Sequence, residues 1–228
     1  MTLAPMKAMI LAAGKGSRLR PLTEHTPKPL LPIKGKPLIV YHLEQLARAG
    51  FKEVIINLGH LGAQIPKALG DGSRWGLTLH YSDEGAEPLE TGGGILQALP
   101  LLGPRPFWLI NGDTLCRYPL NPYASIPEGD FAKLWLVAHP THVTQGDFGL
   151  TKHGRVTNQP QLTYSGSAII DPLLFSACQP GHFGLAPLLR QAIENGKVSG
   201  ERLANEWLDV GTLERLQLAE RRIDEILG

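Results

Sequence analysis

Cysteine is scarce here. The 228 residues carry two, Cys116 and Cys178. Their spacing suits neither a zinc site nor a disulfide framework, and a reducing, cytoplasmic setting is expected. Surplus charge is also lacking: Lys+Arg 22 against Asp+Glu 21 leaves a net +1. That balance gives no broad basic field for nucleic acid, so no nucleic-acid partner is expected. No apolar run reaches the ~20 residues needed to span a bilayer, so no membrane association is expected. The N-terminus, MTLAPMKAM, lacks a charged region followed by a long apolar core, which excludes a signal peptide. Residues before Met6 read as a short extra leader. Internal repeats, low-complexity tracts and a catalytic-triad signature are missing. The histidines, at positions 25, 42, 60, 80, 139, 142, 153 and 182, form no metal-ligand pattern and read mostly as surface residues. What remains is ordinary: 43% hydrophobic and 19% charged residues, enough for one large domain or two small ones.

The informative stretch is Leu11 to Pro37, LAAGKGSRLRPLTEHTPKPLLPIKGKP. An apolar run from Ala8 to Ala12 leads into it and predicts a short buried strand. Gly14 and Gly16 then flank a lysine, with Arg18 and Arg20 close behind. Glycine lets the backbone approach a ligand and present its N–H groups. Lys28 lies between Pro27 and Pro29, which predicts an extended, stiff arm. Backbone donors, guanidinium and ammonium together suit a polyphosphate. A glycine-rich turn after a strand can also be only a turn. Two familiar motifs are excluded: a Rossmann fingerprint needs a third glycine where Leu19 stands, and a Walker A loop needs Gly-Lys-Ser/Thr after four spacers.

Downstream, Leu38, Leu43, Leu46 and Ala47 predict a helix opened by Pro37 and closed by Gly50. Val54 to Ile56 predicts a strand, Ala63 to Leu69 a helix, and Leu77, Leu79 and Tyr81 another strand. This alternation means crossover units and a mostly parallel α/β sheet flanked by helices. The stretch EGAEPLETGGGI, Glu84 to Ile95, reads as a loop and helix start, with Thr91 a candidate cap. Phe107 to Ile110 is a buried strand ending in Asn111-Gly112-Asp113-Thr114. Open parallel sheets bind ligands at the carboxyl ends of strands, so Asp113 is sited either to hold a metal or to cap a turn. Asn121 to Gly129 reads as a surface connection. Strands are expected over 131–138, 148–151, near Val156 and over 164–170, as a mixed, partly antiparallel extension. Pro172 to Cys178 and Gly184 to Glu194 read as helices, and Gly196 to Leu203 as short and mixed. The last helix runs from Thr212, with Leu213, Leu216, Leu218 and Ile223 on its apolar face. Asp209 stands just before it and could serve as its cap.

The pattern Leu-Ala-Ala-Gly-x-Gly-x-Arg-Leu-x-Pro-Leu-Thr, then Pro-Lys-Pro, then Lys-Pro, resembles the signature of the sugar-phosphate nucleotidyltransferases. Glu206 to Thr212, EWLDVGT, resembles that family's Trp-x-Asp-x-Gly-Thr motif. The resemblance implies a Rossmann-like nucleotidyltransferase fold with a small sugar-binding extension. It implies one domain over 1–228, with a nucleotide half at 1–120 and a sugar half at 121–228. The C-terminal β-helix of several relatives is not expected, nor is a second acyltransferase activity. By residue, it implies nucleotide contacts from Leu11, Ala12, Ala13, Gly14, Gly16, Arg18, Lys28, Thr91 and Gly92. Catalysis would rest on Arg18, Lys28 and Asp113, with Mg²⁺ held by Asp113 and Asp209. Sugar contacts fall to Asn111, Gly149 and Asn158. Many relatives carry Glu-Lys-Pro where this chain has Asn158-Gln159-Pro160, so sugar recognition departs from the common pattern. Short length, ETGGG, NQP before YSGSAII, and ANEWLDVGT are most similar to the branch acting on N-acetyl-muramate 1-phosphate. That implies UTP and this sugar phosphate as substrates. An added lactyl carboxylate would call for a cation, with Arg202, Arg155 and Lys152 the candidates by position. Mannose-1-phosphate guanylyl transfer, or glucose-1-phosphate thymidylyl or uridylyl transfer, is the enzymatic alternative. An inactive nucleotide-sugar sensor on the same fold is the non-enzymatic one.

Overall fold

The computed structural model describes residues 4–85, 87–139 and 145–228. His142 and residues 1–3 of the expected leader lie outside the described residues. In chain order the elements are β1 (Ala8–Leu11), β2 (Pro32–Ile33), β3 (Lys36–Pro37), α1 (Leu38–Ala49), β4 (Glu53–Leu58), α2 (Gln64–Leu69) and β5 (Thr78–Asp83). Then follow α3 (Glu90–Leu102), β6 (Phe107–Asn111), β7 (Thr114–Cys116), β8 (Ala132–Val137), β9 (Phe148–Leu150) and β10 (Val156–Ile170). The chain closes with α4 (Leu185–Glu194), β11 (Val198–Arg202), β12 (Trp207–Asp209) and α5 (Leu213–Leu227).

Seven strands line up as β11-β8-β10-β6-β1-β4-β5, with β9 paired on β10. β1 is parallel to β4 and β6, β4 to β5, and β8 to β11, whereas β10 runs antiparallel to β6, β8 and β9. The sheet is therefore mixed and mostly parallel, with its strands buried on both faces, as crossover helices require. β1 shows the logic. Ala8 and Ile10 face Ile39, Leu43 and Leu46 of α1 and Ile65 and Leu69 of α2. Met9 faces the opposite layer, with Ile95 and Ala98 of α3 and Leu185 and Leu189 of α4. A third cluster joins Leu216, Ala219 and Ile223 of α5 to Leu19, Ile33 and Leu38. It brings the end of the chain against the glycine-rich loop.

Several elements differ from expectation. Gly92, Gly93 and Gly94 are not loop: they form the first turns of α3 and are buried. Tertiary packing overrides their poor helix propensity, because a Cβ on Gly92 would sit 2.5 Å from the Phe183 ring and one on Gly93 2.2 Å from the Gly181 carbonyl. Thr91 does not cap α3, whose start, Leu89, has no side-chain cap; its hydroxyl accepts instead from Leu185 N–H at 2.9 Å. Lys28 is not on an extended arm but opens a 3-10 turn over Lys28–Leu30. Pro172–Phe175 is likewise a 3-10 turn rather than a full helix, and the strand expected at 164–170 is the end of the 15-residue β10. On α5, Leu213 is half exposed and the apolar face is Leu216, Ala219, Ile223 and Ile226. His42 is not a surface residue: it is fully buried in α1.

Candidate active site

The apolar residues of β1 carry the chain to the carboxyl edge of the sheet, where the glycine-rich loop begins. Ala12 N–H donates to Asn57 Oδ1 at 2.6 Å, at the matching end of β4. Asn57 Nδ2 donates to Glu84 Oε1 at 2.6 Å, and Glu84 Oε2 accepts from Leu89 N–H at 2.7 Å. One amide and one carboxylate thus tie the loop after β1 to the start of α3. Gly16 sits at φ 61, and a Cβ there would lie 2.9 Å from Thr23 Cγ2. The glycine is needed both for the left-handed turn and for that close approach. The Thr23 hydroxyl, in turn, donates to the Gly16 carbonyl at 2.9 Å. Buried Leu19 anchors the following 3-10 turn, which leaves Arg18 exposed.

These pieces border a cleft of about 330 Å³. Leu11, Ala12, Ala13, Gly14, Gly16, Arg18, Lys28, Thr91, Asn111 and Asp113 all line it. Lys28, its side chain only 12% exposed, reaches across to Asp113 Oδ2 at 2.6 Å. Asp209 lies beside the cleft rather than in its lining. Its strand pairs with β7, Asp209 opposite Thr114, and Val210 N–H donates to the Asp113 carbonyl at 2.7 Å. Gly211 does line the cleft, and Asp209 Oδ2 and an Arg18 guanidinium nitrogen both lie 3.1 Å from where its Cβ would be. Arg18, Lys28, Asp113 and Asp209 therefore converge from four segments. Asp209 does not cap α5: Thr212 does, accepting from Arg215 N–H, while Asp209 Oδ1 accepts from Arg215 Nη1 at 2.8 Å. Burial pushes His42 down to about 4, so the imidazole behind the Gly112–Asp113 turn is neutral. The Gly112 backbone and the Asp113 charge pull the other way without cancelling the desolvation.

A model of the nucleotidyl transferase family matches residues 7–160. The chain belongs to that family. Among nucleotidyl transferases, a Neisseria meningitidis serogroup B protein named N-acetylmuramate alpha-1-phosphate uridylyltransferase is 49% identical over 224 residues, covering 94% of this chain and 97% of the relative. A Caulobacter vibrioides protein of the same name is 32% identical over 242 residues, covering 99% and 100%. The Danio rerio mannose-1-phosphate guanylyltransferase catalytic subunit beta is 29% identical, covering 90% of this chain and 61% of the relative. Among solved structures, HddC from Yersinia pseudotuberculosis superposes with a TM-score of 0.79 at 22% identity, covering 96% of this chain and 99% of that one. At that identity the likeness concerns the fold.

Not every expected residue gathers at this nucleotidyl transferase cleft. Gly92 lies behind the lining, under Phe183. Gly149 and Asn158 sit on β9 and β10, outside the cleft lining. Asn158 Nδ2 donates to the Arg190 carbonyl at 3.3 Å, and a Cβ on Gly149 would meet Thr157 Oγ1 at 2.5 Å. Arg155 is committed elsewhere, to Asp130 through both carboxylate oxygens at 2.8 and 2.9 Å. Conversely, Ser17, Asn57, Glu84, Glu90 and Gly211 line the cleft and were not anticipated. Asn57 carried a usable signal, a polar residue near the carboxyl end of the apolar strand VIINL. Glu84 and Glu90 carried none beyond their place in a polar loop.

Proposed function

We propose that the cleft transfers UMP from UTP to N-acetyl-muramate 1-phosphate, giving UDP-N-acetyl-muramate and pyrophosphate. The observation that carries this reading is the convergence of Arg18, Lys28, Asp113 and Asp209 on one cleft in a chain so similar, end to end, to two proteins named for that activity. An oxygen of the sugar phosphate attacks the α-phosphorus, a new P–O bond forms, and the bond to the β-phosphate oxygen breaks. The attacking phosphate is ionised at neutral pH, so no general base is needed. The obstacle is mutual repulsion of anions, and the remedy is neutralisation and positioning.

Each residue has a place in that scheme. Backbone groups over residues 11–16 receive the nucleotide, with Thr91 beside its base and Gly92 in the layer behind. Arg18 neutralises the departing pyrophosphate. Lys28 neutralises the α-phosphate and the sugar phosphate. Asn111 faces the sugar, with Gly149 and Asn158 in the extension beyond it. Asp113 and Asp209, two hard carboxylates brought to one place by the β7–β12 pair, would hold a divalent cation, Mg²⁺. When bound, it would supply positive charge that offsets the repulsion between the phosphates. The nucleotide half spans 1–120 and the sugar half 121–228, and the reaction belongs to cytoplasmic recycling of cell-wall sugar.

Pyrophosphate release over a matrix of UTP, GTP, dTTP and ATP against four sugar phosphates tests this: N-acetyl-muramate, N-acetylglucosamine, glucose and mannose 1-phosphates. The UTP and N-acetyl-muramate 1-phosphate pair should dominate. Preference for GTP with mannose 1-phosphate would replace the reading, and silence across the matrix would favour an inactive sensor.

A further inference from the structure

We propose that a second pocket, at the carboxyl ends of β8 and β11, seats an anionic substituent of the sugar, and that Arg202 reads its charge. This rests on the functional reading above. The pocket holds about 510 Å³ and is lined by Val137, Ala138, Arg202, Leu203, Asn205 and Trp207, among others. It opens on the same edge of the sheet as the catalytic cleft. β8 and β6 both run antiparallel to β10, so their carboxyl ends point the same way, and β11 is parallel to β8.

The spacing matches one sugar ring. Trp207 and Asp209 are two residues apart on β12 and share a face, which separates them by about 6–7 Å. A sugar whose phosphate lies by Asp209 therefore extends to the indole of Trp207. In the sheet β10 alone lies between β8, which borders this pocket, and β6, which borders the catalytic cleft. The Ser165 carbonyl accepts from Trp207 Nε1 at 2.7 Å and from the Tyr118 hydroxyl at 2.9 Å. The next residue, Gly166, sits at φ 83 with the Asn111 side chain 2.8 Å from where its Cβ would be.

Charge selects the occupant. Arg202 is exposed, and among the described residues its guanidinium has no hydrogen bond or ion pair. Of the other two cations considered by position, Arg155 holds Asp130 and Lys152 is not in this pocket's lining, while the nearby Arg190 covers the Phe148 ring and donates to the Asp147 carbonyl. Asn205 is tied to the Arg117 carbonyl at 2.6 Å, and Leu203 N–H to the Leu136 carbonyl, so the rim is fixed. An uncommitted planar guanidinium beside an indole suits a carboxylate on an otherwise uncharged sugar. N-acetyl-muramate differs from N-acetylglucosamine by a lactyl ether that ends in such a carboxylate.

The test is the ratio of kcat/KM for N-acetyl-muramate 1-phosphate over N-acetylglucosamine 1-phosphate, with UTP, in wild type, Arg202→Ala and Arg202→Lys. In Arg202→Ala the ratio should fall roughly ten- to hundredfold, the scale of one lost charge-assisted interaction, and mainly through KM. Arg202→Lys should recover part of it, since charge returns without the fork. A ratio unchanged in both variants, with wild type preferring the carboxylated sugar, overturns the subsite and leaves the functional reading intact. A wild type with no preference for the carboxylated sugar overturns both.

Discussion

Replacing Asn57 isolates the bridge between the glycine-rich loop and α3. Its amide accepts from Ala12 N–H and donates to Glu84, each at 2.6 Å, and the residue is only 3% exposed. Asn57→Ala removes both bonds, leaving a buried N–H unpaired and Glu84 with one partner fewer. An orphaned buried group costs about 1–3 kcal/mol, and the bond to a carboxylate about 1.5–3. The total expected is about 3–5 kcal/mol, some of it recovered if water enters. Asn57→Asp is the sharper variant. It can still accept from Ala12 but cannot donate to Glu84 unless protonated, so two carboxylates meet at hydrogen-bond distance. One must take up a proton, its folded pKa rising above its unfolded value near 4. The folded state then binds more protons, so stability is held at low pH and lost as pH rises through that folded pKa. Urea denaturation of wild type and both variants from pH 5 to pH 8 measures this, with the KM for UTP as the functional readout. Asn57→Asp should lose ground to Asn57→Ala as pH rises, and both should raise KM. Equal midpoints and an unchanged KM would refute the bridge as a support of the site.

Three further outcomes follow from single residues. Glu90 occupies the left-handed region at φ 61, so Glu90→Gly should relieve about 1 kcal/mol of backbone strain and raise Tm by about 2–4 °C in a thermal melt. Gly92→Ala gains about 1 kcal/mol of helix propensity but drives a methyl to 2.8 Å from the Phe183 carbonyl and 2.5 Å from its ring. The clash should win by about 1–3 kcal/mol, read as a lower urea midpoint. His42, held down at about 4 against 6.5 unfolded, stays neutral in the folded state while the unfolded chain protonates. Stability should therefore fall as pH drops from 6.5 to 4, by about 3 kcal/mol in total, and the loss should be absent from a His42→Leu variant that folds.

What the sequence makes legible is chemistry that lies close together along the chain. Gly14, Gly16, Arg18 and Lys28 fall within fifteen residues, and the strand before them sets where they point. Asp113 was readable because it follows a buried strand in a parallel sheet. The Asn57–Glu84 bridge was not, because its partners are 27 and 45 residues apart and join only through sheet register. The triple glycine misled for a physical reason: propensity favours a loop, but Phe183 and Gly181 pack so close that only glycine fits the helix. Asp209 could also be read as the cap of α5, and only the structure shows that Thr212 takes that position. Gly149 and Asn158 were placed by motif alone, and the fold sets them off the cleft lining.

Asp113→Asn tests the central claim most directly. The change keeps the shape of the side chain, removes its charge and weakens its 2.6 Å contact with Lys28. Steady-state turnover of UTP with N-acetyl-muramate 1-phosphate should fall by about 10²–10³, while a thermal melt shows a protein as folded as the wild type. Wild-type turnover in that folded variant would contradict the account.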